Sequence, residues 1–247
     1  MPRYFLELFY KGTNYAGFQI QRNANSIQAE VEKALQVFFK APFALTGSSR
    51  TDAGVHALGN YFHFDSEALS AYTLEELGKA VYNLNAILPD DIVVSTIRLV
   101  SDLAHCRFDA HSREYKYYIY QGKDPFLSDR AYYYPYILDI DILQKAATLI
   151  QSHNDFTSFS KRNTQVSSFN CTILKSEWRL EQSILVYNIQ ANRFLRGMVR
   201  GLVGTMLKVG RGKITIDKFE NILREKDCTR VDFSVPAHGL FLVKVQY

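Results

Sequence analysis

The segment GNYFHFD, residues 59–65, is predicted to be a β-strand because residues that favour strands dominate it and its side chains alternate between two faces. Tyr61 and His63 would lie on one face, and Asn60 with the two phenylalanines on the other. A polar loop that contains one glycine, residues 48–58, comes directly before this strand. Residues 48–65 are therefore predicted to form a loop followed by a strand.

The elements on either side of this strand follow a β-α-β-β-α-β order. Strands are predicted at 4–11, 43–47 and 91–100, and helices at 25–40 and 73–86. Asn25 and Gln28 have the spacing of a capping box at the start of the first helix. The order is that of the ferredoxin-like, or split βαβ, unit.

The second half of the chain repeats this order. Strands are predicted at 113–121, 171–181, 184–191 and 239–246, and helices at 139–151, 193–209 and 216–224. A tight turn near Gln182-Ser183 would join the middle two strands. We expect an α+β fold of two ferredoxin-like halves, 1–105 and 106–247. They would form a mixed, mainly antiparallel sheet with helices on one face and a ligand cleft between the halves.

Composition excludes several classes of protein. Of the 247 residues, 47% are hydrophobic and 22% are charged, which is typical of a globular protein, and no apolar run reaches the length of a membrane span. Glu7 interrupts the first apolar stretch, so no signal peptide is expected. The three cysteines lie far apart, which favours reduced thiols in a cytoplasmic protein and predicts neither a disulfide framework nor a zinc site.

Motifs for bound cofactors are missing. The sequence contains no P-loop, no dinucleotide fingerprint, no zinc deaminase signature and no nucleophile elbow, so we expect chemistry by side chains, with no metal and no cofactor. The net charge is +4, and 16 tyrosines are interleaved with basic residues, a composition that suits stacking on unpaired bases. A tyrosine-rich sheet explains the same composition without any nucleic acid.

The loop at residues 49–57, SRTDAGVHA, carries the most specific pattern. By itself the pattern indicates one of two things. It is either an Asx-turn with a surface ion pair between Arg50 and Asp52, or a loop that carries a reactive carboxylate. Its last eight residues resemble the signature of the tRNA pseudouridine synthase A family. Further motifs of that family are similar to residues 11–19, 107–117, 155–159, 194–204 and 236–242, so the resemblance covers nearly the whole chain. Ser49 stands where the family usually has Gly, and Asn60 where Gln is frequent.

The resemblance implies an isomerase. Members of the family convert uridine to pseudouridine in the anticodon stem-loop of tRNA, at positions 38 to 40, without metal or nucleotide cofactor. It also implies a basic cleft, a cytoplasmic location and a homodimer that binds the anticodon arm of tRNA. Two other interpretations are an RNA-binding or tRNA-folding module of the same fold without turnover, and a metabolic enzyme built on ferredoxin-like halves.

The resemblance also assigns roles to residues. Asp52 is the essential carboxylate, which could add to C6 of uracil, attack C1′ of the ribose or remove the C2′ proton. Arg200 is expected to pair with it, and Tyr115 to stack on the uracil and to accept the C5 proton. Arg50 is the alternative partner of the carboxylate, or a contact to RNA. Candidates for phosphate contacts are Arg22, Arg50, Lys161, Arg162, Arg193 and Lys208.

Helical spacing adds one structural hypothesis. On the predicted helix 193–209, Arg193, Arg196 and Arg200 would share one face. Glycines lie beside that face and would let another backbone come close. We expect this backbone to be that of the Asp52 loop.

Overall fold

The computed structural model describes residues 1–162 and 166–247. The chain forms two compact units, one of Met1–His111 with Leu242–Tyr247 and the other of Ser112–Phe241. Both combine helices with a sheet, so the predicted α+β class is confirmed. Among the described residues, no helix has the length and apolar character that a membrane crossing requires.

The first unit has the predicted element order. Its elements are β1 (Arg3–Tyr10), α1 (Ile27–Phe39), β2 (Thr46–Gly47), β3 (His56–Asp65), α2 (Leu74–Ile87) and β4 (Ile92–Val100). The strands lie in the order β4-β1-β3-β2, and each of these neighbours is antiparallel. This is the strand order of a ferredoxin-like unit, as predicted from the sequence.

The start of helix α1 is capped by a different residue from the one predicted. The side chain of Ser26, and not that of Asn25, accepts the N–H of Ala29 at the start of α1, so the predicted capping box is wrong. The Gln28 side-chain amide donates instead to the Leu45 carbonyl oxygen (2.9 Å). A complete capping box lies instead at the start of α2, where Thr73 caps the helix.

The second unit repeats the arrangement. Its elements are β5 (Ser112–Tyr120), β6 (Tyr132–Tyr133), α3 (Ile140–Gln151), β7 (Ile173–Glu181), β8 (Ile184–Ala191), α4 (Met198–Gly210) and α5 (Ile216–Arg224). Strand β8 lies between β5 and β7 and is antiparallel to both. The order β5-β8-β7 corresponds to the order β1-β3-β2 of the first unit. The short β6 is parallel to β5, which makes the sheet mixed. The final strand, β9 (Leu240–Gln246), begins in this unit, and its residues from Leu242 belong to the first unit.

The turn between β7 and β8 is confirmed as tight. Gln182 and Ser183 both have positive φ, 47° and 70°. Two successive left-handed residues are what a type I′ hairpin turn requires.

Helix α4 begins five residues later than predicted, at Met198. Gly197 precedes it with φ of +76°, in the left-handed region that interrupts a helix and favours glycine. Arg193 and Arg196 therefore lie outside the helix, and the prediction that they share a helical face with Arg200 is wrong.

The glycine face of α4 is approached closely, but by a different segment from the one expected. A methyl group at Gly204 would lie 2.3 Å from the Asp232 carbonyl oxygen, and one at Gly201 would lie 2.8 Å from side-chain atoms of Val231 and Phe233. Residues 231–233 of the same unit thus occupy this face, and the prediction that the Asp52 loop packs there is wrong.

Candidate active site

Asp52 occupies the first position of a β-turn in the loop between β2 and β3. The Val55 amide donates to the Asp52 carbonyl oxygen (3.2 Å), and Gly54, at the third position, has φ of +78°. A turn with positive φ at this position favours glycine. The turn leaves the side chain of Asp52 half-buried at its start, while Thr51 and Val55 on either side are buried.

Two glycines of the N-terminal motif pack against the backbone of this loop. A methyl group at Gly12 would lie 2.0 Å from the Val55 carbonyl oxygen, and one at Gly17 would lie 2.9 Å from the Thr51 carbonyl oxygen. The same Thr51 oxygen accepts the Phe18 amide (3.1 Å). The segment after β1 therefore fixes the position of the backbone that carries Asp52.

A buried polar network holds the loop from its other side. The Tyr10 hydroxyl lies 2.8 Å from Thr51 Oγ1 and accepts a hydrogen bond from the Asn60 side-chain amide (3.1 Å). The same amide donates to the Ser49 carbonyl oxygen (2.8 Å), and its oxygen accepts the Ser49 N–H (3.3 Å). Ser49 and Asn60, the two departures from the family pattern, thus contact each other directly, and a buried network of this kind rigidifies the loop.

The Asp52 carboxylate takes no part in holding the loop. Within its own unit, no described residue donates a hydrogen bond to this carboxylate or forms an ion pair with it, Arg50 included. The interpretation of the loop as an Asx-turn with a surface ion pair therefore has no support. A carboxylate that forms no structural contact in its unit, on a backbone that is tightly fixed, is a candidate catalytic group.

Tyr115 lies on β5 in the second unit. Its side chain is buried on the strand face that carries Tyr117 and Arg113, as the alternation predicted. Its ring meets that of Phe194 edge to face, with centroids 5.0 Å apart and an angle of 83° between the planes. This contact fixes the ring plane and limits its rotation.

Arg200 lies in the first turn of α4 and is half-buried. Its Nε donates to the Val235 carbonyl oxygen (2.8 Å) and Nη2 to the Phe233 carbonyl oxygen (3.3 Å). Arginine has five N–H donors, so this anchoring fixes the guanidinium and leaves others for an anion. Next to it, burial raises the pKa of Tyr117, whose hydroxyl donates to the Pro236 carbonyl oxygen (2.7 Å).

The predicted phosphate contacts have different surroundings. Arg22, Arg50 and Arg162 are exposed, whereas Arg193 is half-buried. Burial raises the pKa of the Cys171 thiol to about 11, and the nearby positive charge of Arg193 offsets part of this rise. The half-buried Lys161 lies over Gly197, where its side-chain carbons would be 3.0–3.2 Å from an added methyl group. Lys208 forms an ion pair with Asp232 (3.0 Å), so its charge is already compensated.

The structure also brings together His63, His105 and Cys106, which no sequence pattern connects. Their candidate ligand atoms lie within 4.8 Å of one another, and zinc takes such ligands. However, His105 Nδ1 accepts the Arg107 N–H (3.1 Å), which places the ring proton of a neutral imidazole on Nε2, and Cys106 Sγ donates to the Thr46 carbonyl oxygen (3.2 Å). In this arrangement the cluster is a hydrogen-bonded part of the core, and His105 offers no ring nitrogen to a metal.

Comparison with known proteins matches the whole chain. A family model described as tRNA pseudouridine synthase matches residues 9–109 and 146–247. A tRNA pseudouridine synthase A of Parabacteroides distasonis is 46% identical over 100% of this chain and 96% of its own length. Proteins with the same name from Bacteroides thetaiotaomicron and Staphylococcus carnosus are 43% and 38% identical, over 100% and 98% of this chain and 91% and 90% of theirs. The first matched segment contains the Asp52 loop, and the second contains α4.

Proposed function

This chain belongs to the tRNA pseudouridine synthase family, and from that premise we propose that it isomerises uridine to pseudouridine in the anticodon stem-loop of tRNA. In this reaction the C1′–N1 bond of the nucleotide breaks, the uracil turns, and a C1′–C5 bond forms. The proton lost from C5 is balanced by one gained at N1, so product and substrate are isomers. The reaction consumes no oxidant, reductant or second substrate.

One observation carries the assignment of Asp52 as the catalytic carboxylate. The backbone of its loop is held by glycine contacts on one side and by the network of Tyr10, Thr51 and Asn60 on the other, whereas its own carboxylate makes no bond within its unit among the described residues. Positioning of a reacting group contributes strongly to catalysis. All three routes considered for the carboxylate need it ionised and fixed, and the loop supplies the fixed position.

Two residues of the second unit complete the proposal. Tyr115 has a ring fixed by Phe194, which supports a role in stacking on the uracil and in accepting the C5 proton. Arg200 has a guanidinium oriented by two carbonyl oxygens, which supports a role as the cation that keeps the Asp52 carboxylate ionised. Phosphate contacts from Arg22, Arg50, Lys161, Arg162 and Arg193 would hold the RNA.

The target uridine is proposed to leave its stack before it reacts. A stacked base hides the reacting atoms, and flipping it costs a few kcal/mol. The exposed Arg50, two residues before Asp52, is proposed to support the flipped nucleotide. The family resemblance further supports a homodimer in the cytoplasm, which light scattering of the purified protein, with and without tRNA, and cell fractionation would test.

The deciding experiment uses unmodified tRNA transcripts and chemical mapping of pseudouridine. We expect product with the wild type, and with Asp52→Asn a loss of at least about 100-fold at similar tRNA affinity. In the same assay Tyr115→Phe and Arg200→Lys should lower the single-turnover rate more than the affinity. Equal product from wild type and Asp52→Asn would contradict the role of Asp52. Binding without product in the wild type would instead select an RNA-binding or tRNA-folding module without turnover.

A further inference from the structure

The first unit contains a cavity beside the Asp52 loop, and the proposed mechanism gives it no role as a binding site. Its volume is about 220 Å³. The residues that line it come from the start of the chain, the β2 region and the segment after β4: Phe18, Gln19, Gln28, Leu45, Thr46, Gly47, Arg50, His105, Arg107 and Phe108.

The cavity is lined by basic side chains and by no acidic one. Arg50 and Arg107 contribute guanidinium groups, His105 contributes an imidazole, and none of the lining residues is Asp or Glu. Two guanidinium groups in one small concave site favour a phosphate, whose oxygens they bind in bidentate fashion.

The rim of the cavity carries an aromatic side chain that the fold does not bury. Phe108 is 74% exposed. Its ring centroid lies 4.2 Å from that of His105, at 37° between the planes, and the Arg107 guanidinium carbon lies 5.8 Å from the centroid. An exposed aromatic ring next to cations is the combination that binds unpaired bases by stacking.

The floor of the cavity is rigid. Phe18 stacks on Phe62 with ring centroids 4.4 Å apart and planes only 10° apart. Gly47 leaves room for it, since a methyl group there would lie 2.4 Å from a Phe18 ring carbon. Gln28 is fixed at the same place by its bond to the Leu45 carbonyl oxygen (2.9 Å). The shape of the site therefore does not depend on exposed side chains alone.

We propose that this cavity binds one unpaired nucleotide of the substrate RNA, with its phosphate on Arg50 and Arg107 and its base stacked on Phe108. The volume is below the roughly 300–1,000 Å³ typical of sites for whole small molecules, which favours one unit of a chain that is held elsewhere as well. This inference rests on the proposed function, because it takes RNA as the substrate.

The position of the site also indicates which nucleotide it holds. Arg50 and Asp52 are two residues apart, and two residues of extended chain span at most about 7 Å. The bound nucleotide is therefore a close neighbour of the reacting uridine in the RNA strand. Its base makes the contact, so the cavity senses the sequence or the unpaired state of the RNA next to the target.

The test compares Phe108→Leu, Phe108→Trp and Phe126→Leu. Phe126 is a matched control, because its side chain is 81% exposed in the other unit. With an unmodified tRNA transcript, Phe108→Leu should raise the Kd about tenfold, as expected for the loss of one stacked base. Phe108→Trp should restore binding, and Phe126→Leu should leave it unchanged. Thermal unfolding of each variant shows whether the fold is retained.

Cross-linking identifies the nucleotide directly. Transcripts that carry 5-iodouridine at single positions next to the target should give a cross-link to Phe108 in the wild type, and none in Phe108→Leu. A Kd for Phe108→Leu within twofold of the wild type, or cross-links only to positions remote from the target, would overturn the proposal.

Product formation by the wild type separates this proposal from the proposed function. If the wild type forms pseudouridine and Phe108→Leu binds normally, only the nucleotide site is wrong. If the wild type forms none and Phe108→Leu still binds RNA tenfold more weakly, the nucleotide site stands and the assigned reaction is wrong.

Discussion

At the scale of single residues, the buried histidine of β3 shows how environment changes a side chain. His63 lies beside Cys106, with Nδ1 and Sγ 3.2 Å apart, and near the ring of His105. Burial is the main reason that the pKa of His63 falls from 6.5 to about 4, and the nearby positive charges of His105 and Arg3 lower it further. The folded protein therefore keeps this imidazole neutral in mildly acidic solution.

The stability of the protein should depend on pH because of His63. Between pH 6.5 and about 4 the unfolded chain binds this proton and the folded chain does not, so the free energy of unfolding falls as the pH is lowered through that window. From pH 7 to pH 5 we expect a loss of about 2 kcal/mol that is absent in His63→Gln. Urea denaturation at both pH values measures it.

The control for this prediction is His111→Gln, which changes an exposed histidine of the same unit. It should show the same pH dependence as the wild type. If His63→Gln lost as much stability as the wild type between these pH values, His63 would not be the group responsible.

At the scale of elements, the Asp52 loop depends on a segment from elsewhere in its unit. The loop between β2 and β3 contains no helix or strand. Its backbone is held in position by close contacts with Gly12 and Gly17, which follow β1. Glycine is required there because the two backbones are closer than a Cβ allows. The N-terminal motif is therefore part of the positioning of Asp52.

We predict that Gly12→Ala reduces catalysis more than RNA binding. The new methyl group would meet the Val55 carbonyl oxygen at 2.0 Å, so the backbone of the Asp52 loop has to move. A displacement of about 1 Å of a reacting group costs about 100-fold in rate. Single-turnover rates should fall by about that factor, while the Kd for tRNA changes little.

Gly78→Ala is the matched control. Gly78 lies in α2 with no atom within 4 Å of an added methyl group. Activity should be unchanged, and the melting temperature should rise, because alanine favours a helix over glycine by about 1 kcal/mol. A Gly12→Ala protein with the same single-turnover rate as the wild type would show that the loop does not need this contact.

At the scale of the whole molecule, charge limits how RNA can be bound. The chain has 29 basic and 25 acidic side chains, so its net charge is only +4. Several basic residues are already paired, as Lys208 is with Asp232. Binding to phosphates must therefore depend on where individual basic groups lie, and not on a general positive field.

A measurable salt dependence follows. Six phosphate contacts, the five proposed above and Arg107, predict that the tRNA affinity falls about 1,000-fold from about 50 to about 200 mM salt. Replacing Arg107 with Gln should make the slope of log K against log salt less steep by about one unit. A slope near zero in the wild type, measured by filter binding, would contradict binding through phosphates.

The sequence by itself determined the order of helices and strands and the identity of the loop that carries Asp52. Both are local properties, since alternation, helical spacing and a run of eight matching residues are visible without contacts. The start of α4 could not be found this way, because the residues before Met198 also follow a helical pattern. The left-handed conformation of Gly197 interrupts this pattern, so the helix begins only at Met198.

Only the tertiary structure decided which groups meet. It packed residues 231–233 on the glycines of α4, fixed the Asp52 loop with Gly12 and Gly17, and brought Arg50 and Phe108 to the same cavity. These contacts join residues that are far apart in the sequence. They depend on burial and on close packing across the unit, and no local pattern records either of these.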